Sequence, residues 1–344
     1  MTTLGRTGHD ETLLSVHGDS ELADGLIDLA VNVRPTPTWL RDRLAALDLA
    51  RYPDPSSGVA AVAARHGRPA NEVLLTAGGA EAFTLIARAL APEHAVIVHP
   101  QFTEPELALR AAGHDVDRVV LDYPFVLDAA DVPSTADLVV VGNPTNPTSV
   151  LHPADTLREL ARPGRVLVVD EAFADCVPGE THSLASTRDV PGLVVVRSLT
   201  KTWGLAGVRA GYVVADAAVI AQLAAQQPRW SVSSLAVEAA VACSSPAALA
   251  EASAAAAQLE LDRAYLVSRL EPFADVVPDP RASFVLARFE SPGIREALRA
   301  HGYAVRRGDT FPGLGPDWIR IAVRDRQTSY AFADALASIL KGTE

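Results

Sequence analysis

The sequence predicts an α/β protein with a mainly parallel sheet. From about residue 72, short runs rich in Val and Leu alternate with longer stretches of helical periodicity, a pattern typical of parallel strands joined by helices. The runs are apolar almost throughout, as expected of strands that helices bury on both faces. The chain has 344 residues, and chains beyond roughly 250 residues tend to divide. We therefore predict a large domain with this sheet and a smaller α+β domain.

Seven strands are predicted for the sheet of the large domain. They span residues 72–76, 95–98, 118–121, 138–141, 166–169, 193–196 and 210–214. After Pro246 an Ala-rich helix is predicted to run to about Leu270, and residues 283–289, 304–306 and 318–323 are predicted strands of a second sheet. This pattern predicts an N-terminal arm (residues 1–30) that joins the small domain, a large domain (31–245) and a small domain (246–344).

Composition and charge argue against several classes of function. The formal net charge is -12, so the chain has no basic footprint for nucleic acid or anionic lipid, and an anionic substrate would need local arginines. The two cysteines, Cys176 and Cys243, offer neither a disulfide framework nor a metal-ligand spacing. No apolar run reaches the ~20 residues that span a bilayer, and the N-terminus lacks a signal-peptide core. We expect a cytoplasmic protein without a metal site.

A turn of small residues joins the first predicted strand to a helix. It reads Thr76-Ala-Gly-Gly-Ala-Glu, and small residues let backbone N–H groups approach an anion at the positive end of the helix. Gly79 and Ala80 are therefore candidate phosphate ligands. Taken alone, such a turn is more often a tight connection without a ligand.

Two polar side chains follow buried strands, where α/β proteins place ligand-binding loops. Asn146, in Asn143-Pro-Thr-Asn-Pro-Thr-Ser149, could donate a hydrogen bond to a phenolate-like oxygen. Asp170 ends an apolar strand and needs a partner for its buried charge, which a protonated pyridine nitrogen would provide. The alternative interpretations, a turn without a ligand and a capping aspartate, are about equally well supported by each motif alone.

The strongest signal is the segment Ser198-Leu-Thr-Lys-Thr-Trp-Gly-Leu-Ala-Gly-Val-Arg209. Lys201 comes just after a buried strand, where desolvation and nearby cations lower the pKa of an amine and favour the neutral form that imine formation needs. Ser198 and Arg209 lie on either side of it and could bind a phosphate together. A solvated surface lysine is the weaker interpretation of this spacing.

Seven motifs follow one another along the chain: Tyr52-Pro-Asp-Pro, Gly-Gly-Ala-Glu, Asn-Pro-Thr-Asn-Pro-Thr, Asp-Glu-Ala-Phe, Ser-Leu-Thr-Lys, Leu-Ala-Gly-Val-Arg and Ile-Arg-Ile-Ala-Val. In this order they resemble the motifs of the fold-type-I pyridoxal-phosphate enzymes, in the class I/II aminotransferase family. The similarity covers nearly the whole chain. It is greatest to the branch that contains histidinol-phosphate aminotransferase and threonine-phosphate decarboxylase.

The resemblance implies a role for each candidate residue. Lys201 would hold pyridoxal 5'-phosphate as a Schiff base, and Asp170 would pair with its pyridinium nitrogen. The other implied cofactor ligands are Asn146 at the phenolic oxygen, Phe102 on the ring face, and Gly79, Ala80, Ser198 and Arg209 at the phosphate. Tyr52 would reach that phosphate from the other subunit, so the resemblance implies a homodimer.

The substrate residues follow from the same resemblance. Its motifs at both ends of the chain favour the decarboxylase, an enzyme of cobalamin biosynthesis: His17-Gly-Asp and Ile27-Asp-Leu-Ala-Val-Asn32 are similar to its N-terminus. Arg320 would bind the substrate α-carboxylate, and Arg306 would supply a cation for a phosphorylated substrate. The implied substrate-binding residues are therefore His17, Asn32, Arg306 and Arg320. Arg307 and Arg324 are explained equally well as solvated arginines at strand ends.

Two departures from the family pattern concern the substrate pocket. Phe173 stands where the aminotransferases have a Tyr whose hydroxyl touches the phenolic oxygen, which mildly favours the decarboxylase. Ser149 replaces the Gly that usually ends the Asn-Pro-Thr motif. Both residues could mark a divergent substrate pocket.

We therefore predict a pyridoxal-phosphate enzyme that acts on a phosphorylated amino acid. Decarboxylation of O-phospho-L-threonine is the first hypothesis, and transamination of the histidinol-phosphate aminotransferase type is the alternative. Lys201 serves both reactions, so the orientation of the substrate decides between them. A third hypothesis, a non-catalytic ligand-binding α/β protein, leaves Lys201, Asp170 and Arg209 unexplained, and the chain has no GxGxxG fingerprint.

Overall fold

Short runs of Val and Leu form the strands of two sheets. The computed structural model describes residues 3–4 and 11–341. In chain order, the strands are β1 (Thr3–Leu4), β2 (Ile27–Leu29), β3 (Val73–Thr76), β4 (Ala95–His99), β5 (Val116–Val120), β6 (Leu138–Gly142), β7 (Val166–Asp170), β8 (Leu193–Ser198), β9 (Gly211–Ala215), β10 (Asp275–Val276), β11 (Phe284–Arg288), β12 (Tyr303–Arg307) and β13 (Trp318–Ala322).

The larger sheet has the strand order β1-β5-β4-β6-β7-β8-β9-β3. Strands β5, β4, β6, β7 and β8 are parallel, whereas β9 runs antiparallel to both β8 and β3. All seven predicted strands are present, which confirms the α/β fold class. The sequence did not predict β1, which pairs with β5 at the edge, because two residues carry no periodicity.

Helices bury both faces of this sheet, as its continuous apolar strands require. In β6, Leu138 and Val140 pack with helix residues on one face, while Val139 and Val141 belong to the cluster on the other. The helices are α1 (Glu11–Leu14), α2 (Thr38–Ala45), α3 (Ser56–His66), α4 (Gly78–Leu90), α5 (Glu104–Ala111), α6 (Ala154–Leu160), α7 (Ala217–Gln226), α8 (Ser234–Cys243), α9 (Pro246–Leu270), α10 (Ile294–Ala300) and α11 (Arg326–Lys341). Helix α9 confirms the predicted Ala-rich helix.

The smaller sheet has the order β10-β11-β13-β12-β2. Its three central strands correspond to the predicted second-sheet strands. From the N-terminal arm, β2 pairs in parallel with β12, whereas β1 pairs with the larger sheet, so the arm contacts both sheets and not the smaller one alone. The predicted domain boundaries after residues 30 and 245 stay predictions.

Among the described residues no single helix is long and apolar enough to cross a membrane, although α8 and α9, bent by 75° at their junction, would together meet that test by length and composition. The cytoplasmic location predicted from the sequence stays a prediction.

A buried ionic cluster lies beneath the ends of β7 and β8. Arg197, which is 1% exposed, donates hydrogen bonds to Glu171 at 3.1 Å and to Asp175 and Glu180 at 2.7 Å. Arg65 donates to the same Asp175 and Glu180 at 2.6 Å. Because these carboxylates surround it, the pKa of Arg197 lies well above its usual value, although burial opposes the shift.

Removing Arg197 leaves buried carboxylates without their partner. We therefore expect Arg197→Leu to lower the free energy of unfolding by about 3–5 kcal/mol. The surface pair of Arg158 and Asp189, 3.1 Å apart, gives a matched control, since Arg158→Leu should cost no more than about 1 kcal/mol. Urea unfolding followed by circular dichroism measures both. Equal effects of the two substitutions would contradict the assignment of stability to the buried cluster.

Candidate active site

The carboxyl ends of the parallel strands meet at one cavity of about 500 Å³. The predicted site residues that line it are His17, Asn32, Gly79, Ala80, Phe102, Asn146, Asp170, Ser198, Lys201, Arg209, Arg306 and Arg320. Tyr52 does not line it. The Tyr52 side chain is 77% exposed, and its ring stacks on that of Trp230 with the centroids 4.4 Å apart.

Strand register brings the central residues together. Asp170 and Ser198 are the last residues of the neighbouring parallel strands β7 and β8, and Lys201 follows in the turn after β8. Asn146 lies in the turn after β6, and α4 begins at Gly78 after β3. Open α/β sheets present their ligand sites at this edge because the loops after parallel strands all emerge there.

Lys201 carries an amine that deprotonates readily. Its pKa is lowered to about 8, chiefly because the amine is buried, and the positive charge of Arg320 adds to this effect. Asp170 opposes the shift. The Phe173 ring, with its centroid 5.8 Å from Lys201 Nζ, forms an apolar wall beside the amine. At near-neutral pH a usable fraction of Lys201 is therefore neutral and nucleophilic.

Asp170 is the buried carboxylate of the cavity. Its pKa is raised to about 6 by burial, while a hydrogen bond from the Ala172 amide at 3.0 Å and the charge of Lys201 limit the rise. Above pH 6 the side chain is ionised within an apolar surrounding. Such a charge binds a cationic partner, for example a protonated ring nitrogen, strongly.

Hydrogen-bond donors for an anion gather at the start of α4. Gly78 has a φ of +80°, and a Cβ there would stand 2.9 Å from Arg209 Nη2, so glycine leaves room for the guanidinium beside the helix end. The Ser198 and Thr200 hydroxyls lie 2.7 Å apart on the same side of the cavity. Together with the helix N-terminus, these donors fit a phosphate group. With Lys201 and Asp170 they fit pyridoxal 5'-phosphate.

Two arginines line the opposite side of the cavity. Arg306 and Arg320 face each other in the antiparallel pair β12–β13. Burial is the main reason that the pKa of Arg320 falls to about 9, and the charge of Arg306 lowers it further. Arg320 donates to Asn146 Oδ1 and to the Ala30 carbonyl, and all three of its guanidinium nitrogens lie within 3.3 Å of the Asn32 amide, which accepts with its oxygen turned toward them.

The guanidinium of Arg306 is only partly hydrogen-bonded within the described residues. Its Nη2 donates to the Val16 carbonyl and to Thr310 Oγ1, and its guanidinium stacks 5.0 Å above the Phe311 ring. Its Nη1 is buried and has no hydrogen-bond partner in the described part of the chain. The side chain as a whole is 3% exposed. A buried donor without an acceptor is costly, so Nη1 is suited to a ligand anion.

His17 reaches the cavity from the arm. Its Nε2 lies 2.6 Å from Glu104 Oε1, and its ring centroid lies 5.7 Å from that of Phe102. Sequence reasoning missed Glu104, Gly78 and Phe311. The doublet of glycines could have identified Gly78. No local sequence feature indicates Glu104, because its contact with His17 joins residues 87 positions apart.

The residues whose roles were open now have partners. Arg307 pairs with Asp309, and Arg324 donates to the Asp28 and Val31 carbonyls, so neither is among the residues that line the described cavity. Phe173 lines the cavity without offering a hydroxyl. Ser149 is fully buried outside it. Ser149 therefore does not line the cavity, and the hypothesis that it marks a divergent substrate pocket stays a prediction.

The arrangement matches a known family in sequence as well as in shape. The sequence model of the family named aminotransferase class I and II matches residues 18–336. The chain belongs to this family. Its members depend on pyridoxal phosphate, so the predicted cofactor and the predicted enzyme class are confirmed.

Relatives within the family carry two different names. The chain is 52% identical over 316 residues to a histidinol-phosphate aminotransferase of Mycobacterium bovis, covering 90% of this chain and 86% of that relative. It is 31% identical over 337 residues to the threonine-phosphate decarboxylase of Salmonella typhimurium, covering 93% and 92%. The crystal structure of a histidinol-phosphate aminotransferase from Clostridium acetobutylicum superposes with a TM-score of 0.83 at 23% identity, covering 92% of this chain and all of that one.

If Lys201 forms the predicted Schiff base, its lowered pKa makes cofactor capture depend on pH. Since the neutral amine is the reactive form, the rate of covalent pyridoxal phosphate binding to the apoprotein should rise about tenfold per pH unit below pH 8 and level off above it. Borohydride trapping followed by peptide mass analysis measures the rate. The sequence has one other lysine, Lys341, and Lys341→Arg should leave the profile unchanged. A rate that still rises tenfold per unit between pH 9 and 10 would contradict the lowered pKa.

Proposed function

We propose that this enzyme is an aminotransferase of the histidinol-phosphate type, with an amino substrate that carries a phosphate. The observation that carries the proposal is the 52% identity, over 90% of the chain, to a relative of that name. The decarboxylase, the first hypothesis from the sequence, is the more distant relative at 31%. We therefore rank the two hypotheses in the reverse order.

The cavity provides groups for such a substrate. Arg306 Nη1, which has no hydrogen-bond partner among the described residues, offers a charge-assisted hydrogen bond to a phosphate, and His17 lies in the same cavity. Arg320, held by Asn32 and Asn146, is oriented to bind the carboxylate of the partner amino or oxo acid. Both arginines are buried, so an anion that enters meets two poorly solvated positive charges and binds strongly.

The chemistry divides between the cofactor and the chain. Pyridoxal phosphate, when bound, supplies an electron-withdrawing ring that weakens the bonds at the amine-bearing carbon of the substrate. Asp170, ionised above pH 6, would stabilise positive charge at the ring nitrogen of the bound cofactor. Lys201, with its pKa near 8, can accept the proton of that carbon and return it to another position. Phe102 and Phe173 line the cavity, and the Phe173 ring, with its centroid 5.8 Å from Lys201 Nζ, limits the access of water to the amine.

Decarboxylation of O-phospho-L-threonine is the second candidate, and a specific observation favours it. Phe173 occupies the position that follows Asp170-Glu-Ala, where the resemblance expects a tyrosine in aminotransferases. His17, which belongs to the motif of the decarboxylase branch, also lies in the cavity. Because of Phe173 and His17, we keep decarboxylation as the second candidate.

Product analysis separates the two reactions. The purified holoenzyme is incubated with L-histidinol phosphate and 2-oxoglutarate, and separately with O-phospho-L-threonine. We expect glutamate from the first mixture and no carbon dioxide from the second. Carbon dioxide release, with no glutamate from the first mixture, would reverse the proposal, and neither product would reject both.

Neighbouring arginines give a matched control for the phosphate site. Losing one charge-assisted hydrogen bond should raise the KM for histidinol phosphate by about tenfold or more in Arg306→Leu. Arg307→Leu removes an adjacent charge that pairs with Asp309 outside the cavity, so it should change this KM by less than about twofold. Equal effects would show that the phosphate does not bind Arg306.

We further propose that the enzyme is a homodimer in which Tyr52 completes the partner subunit's site. Tyr52 and Trp230 form a stacked pair, 77% and 56% exposed, and Leu49, three residues before Tyr52 in the chain, is exposed as well. Exposed aromatic pairs are enriched where protein surfaces meet. In this chain Tyr52 lies outside the cavity, as a residue that serves another subunit must.

Mixed dimers test this part of the proposal. Tyr52→Ala and Lys201→Ala homodimers should each be nearly inactive. If Tyr52 acts across the interface, unfolding and refolding the two together restores about a quarter of the wild-type activity, because half of the molecules carry one intact site. Absence of recovery, or a monomer in sedimentation equilibrium, would refute the arrangement.

A further inference from the structure

Ser149 lies between the turn that carries Asn146 and the chain that enters β11. It is fully buried, and its φ of +64° lies in the left-handed region, which disfavours residues with a side chain. Glycine would adopt this conformation more easily. A serine here therefore needs a compensating interaction.

Three hydrogen bonds converge on this residue. The Ser149 amide donates to the Thr145 carbonyl at 2.7 Å and closes the turn around Asn146. The Ser149 carbonyl accepts from the Arg281 amide at 2.8 Å. Its Oγ accepts from the next amide, that of Ala282, at 2.7 Å. The side chain thus satisfies a buried N–H group in a segment 133 residues away in sequence.

Both segments that Ser149 joins also contact Arg320. Asn146, within the closed turn, accepts from Arg320 Nη1. Phe284, two residues beyond Ala282, lies with its ring centroid 5.0 Å from Arg320 Cζ and packs edge-on against Phe173. Strand β11 in turn pairs with β13, where Leu286 stands opposite Arg320. The Arg320 guanidinium thus contacts two segments, the Asn146 turn and β11, and Ser149 connects these segments to each other.

We propose that Ser149 is a positioning residue, which sets the place of Arg320 in the cavity by fixing the Asn146 turn to the start of β11. Ser149 itself lies outside the cavity lining, so it acts only through these neighbours. The inference rests on the proposed function in one respect, that Arg320 binds the substrate carboxylate. A purely structural serine would affect stability and leave substrate binding unchanged.

Kinetics of Ser149→Ala test the positioning role. Losing the Oγ acceptor frees the Ala282 amide, and we expect the KM for the carboxylate substrate that the wild type uses, 2-oxoglutarate or O-phospho-L-threonine, to rise about fivefold or more. The kcat should change by less than about twofold, because Lys201 and Asp170 are untouched. Ser149→Gly also lacks Oγ and should share the rise in KM, while its backbone adopts the left-handed conformation without strain.

Ser245→Ala is the matched control. The Ser245 hydroxyl accepts from the Ala248 amide at 3.3 Å at the start of α9, and Ser245 is not a residue of the cavity. This variant loses the same kind of hydrogen bond, so it should lower stability with no change in KM. An unchanged KM in both Ser149 variants, or an equal rise in Ser245→Ala, would overturn the inference.

Hydrogen exchange provides a test that does not depend on activity. In holoenzyme carrying Ser149→Ala, peptides spanning residues 143–150 and 281–286 should both exchange faster than in the wild type. Unchanged exchange in either peptide would overturn the proposed connection, even if the wild type transaminates and decarboxylates nothing. Failure of the proposed function and failure of this inference are therefore distinguishable.

Discussion

The parallel pairing of β7 with β8 is the constraint on which the site depends. Their register places Asp170 and Ser198 at the same edge of the sheet, and the turn after β8 then brings Lys201 back over it. Glu171 follows Asp170 in the chain and Arg197 precedes Ser198. These two residues form a buried ion pair that connects the ends of the two strands. The paired strands β7 and β8 thus carry both the site residues and the buried ionic cluster, which keeps the distance between those residues fixed.

Burial then gives these groups their chemistry. The same loss of hydration that lowers the pKa of the Lys201 amine to about 8 raises that of Asp170 to about 6, because each shift favours the neutral form. Between these values the carboxylate is charged and the amine can still lose its proton. No unusual residue type is required. An ordinary lysine and aspartate become reactive because the folded chain removes water from both.

The sequence predicted local features well and contacts between distant segments poorly. The strands of the larger sheet carry continuous Val and Leu, and the turns after them carry motifs with their own spacing, so Lys201, Asp170 and Asn146 could be found without a structure. No motif in the sequence around Glu104 indicates that this residue pairs with His17. The strands β1 and β2 were missed because their pairing partners, not their residues, determine them. The comparisons support the alternative reaction better than the first hypothesis, and the central motifs could not rank the two because both reactions use the same central groups.

Because both reactions use Lys201 and Asp170, we expect the groups that bind the substrate to distinguish them, and the two arginines are the cations among these groups. Arg306 and Arg320 stand opposite each other on β12 and β13, and each has a lowered pKa because burial penalises its charge. A substrate anion relieves that penalty, so binding energy is available where it can fix the angle of the bonds at the reacting carbon. Arg320 is hydrogen-bonded on several sides, whereas Arg306 Nη1 has no hydrogen-bond partner within the described part of the chain. O-phospho-L-threonine could place its phosphate on Arg306 and its carboxylate on Arg320, whereas histidinol phosphate has no carboxylate and would be held by its phosphate alone. The anions that a substrate carries would therefore set its orientation and select the bond that breaks.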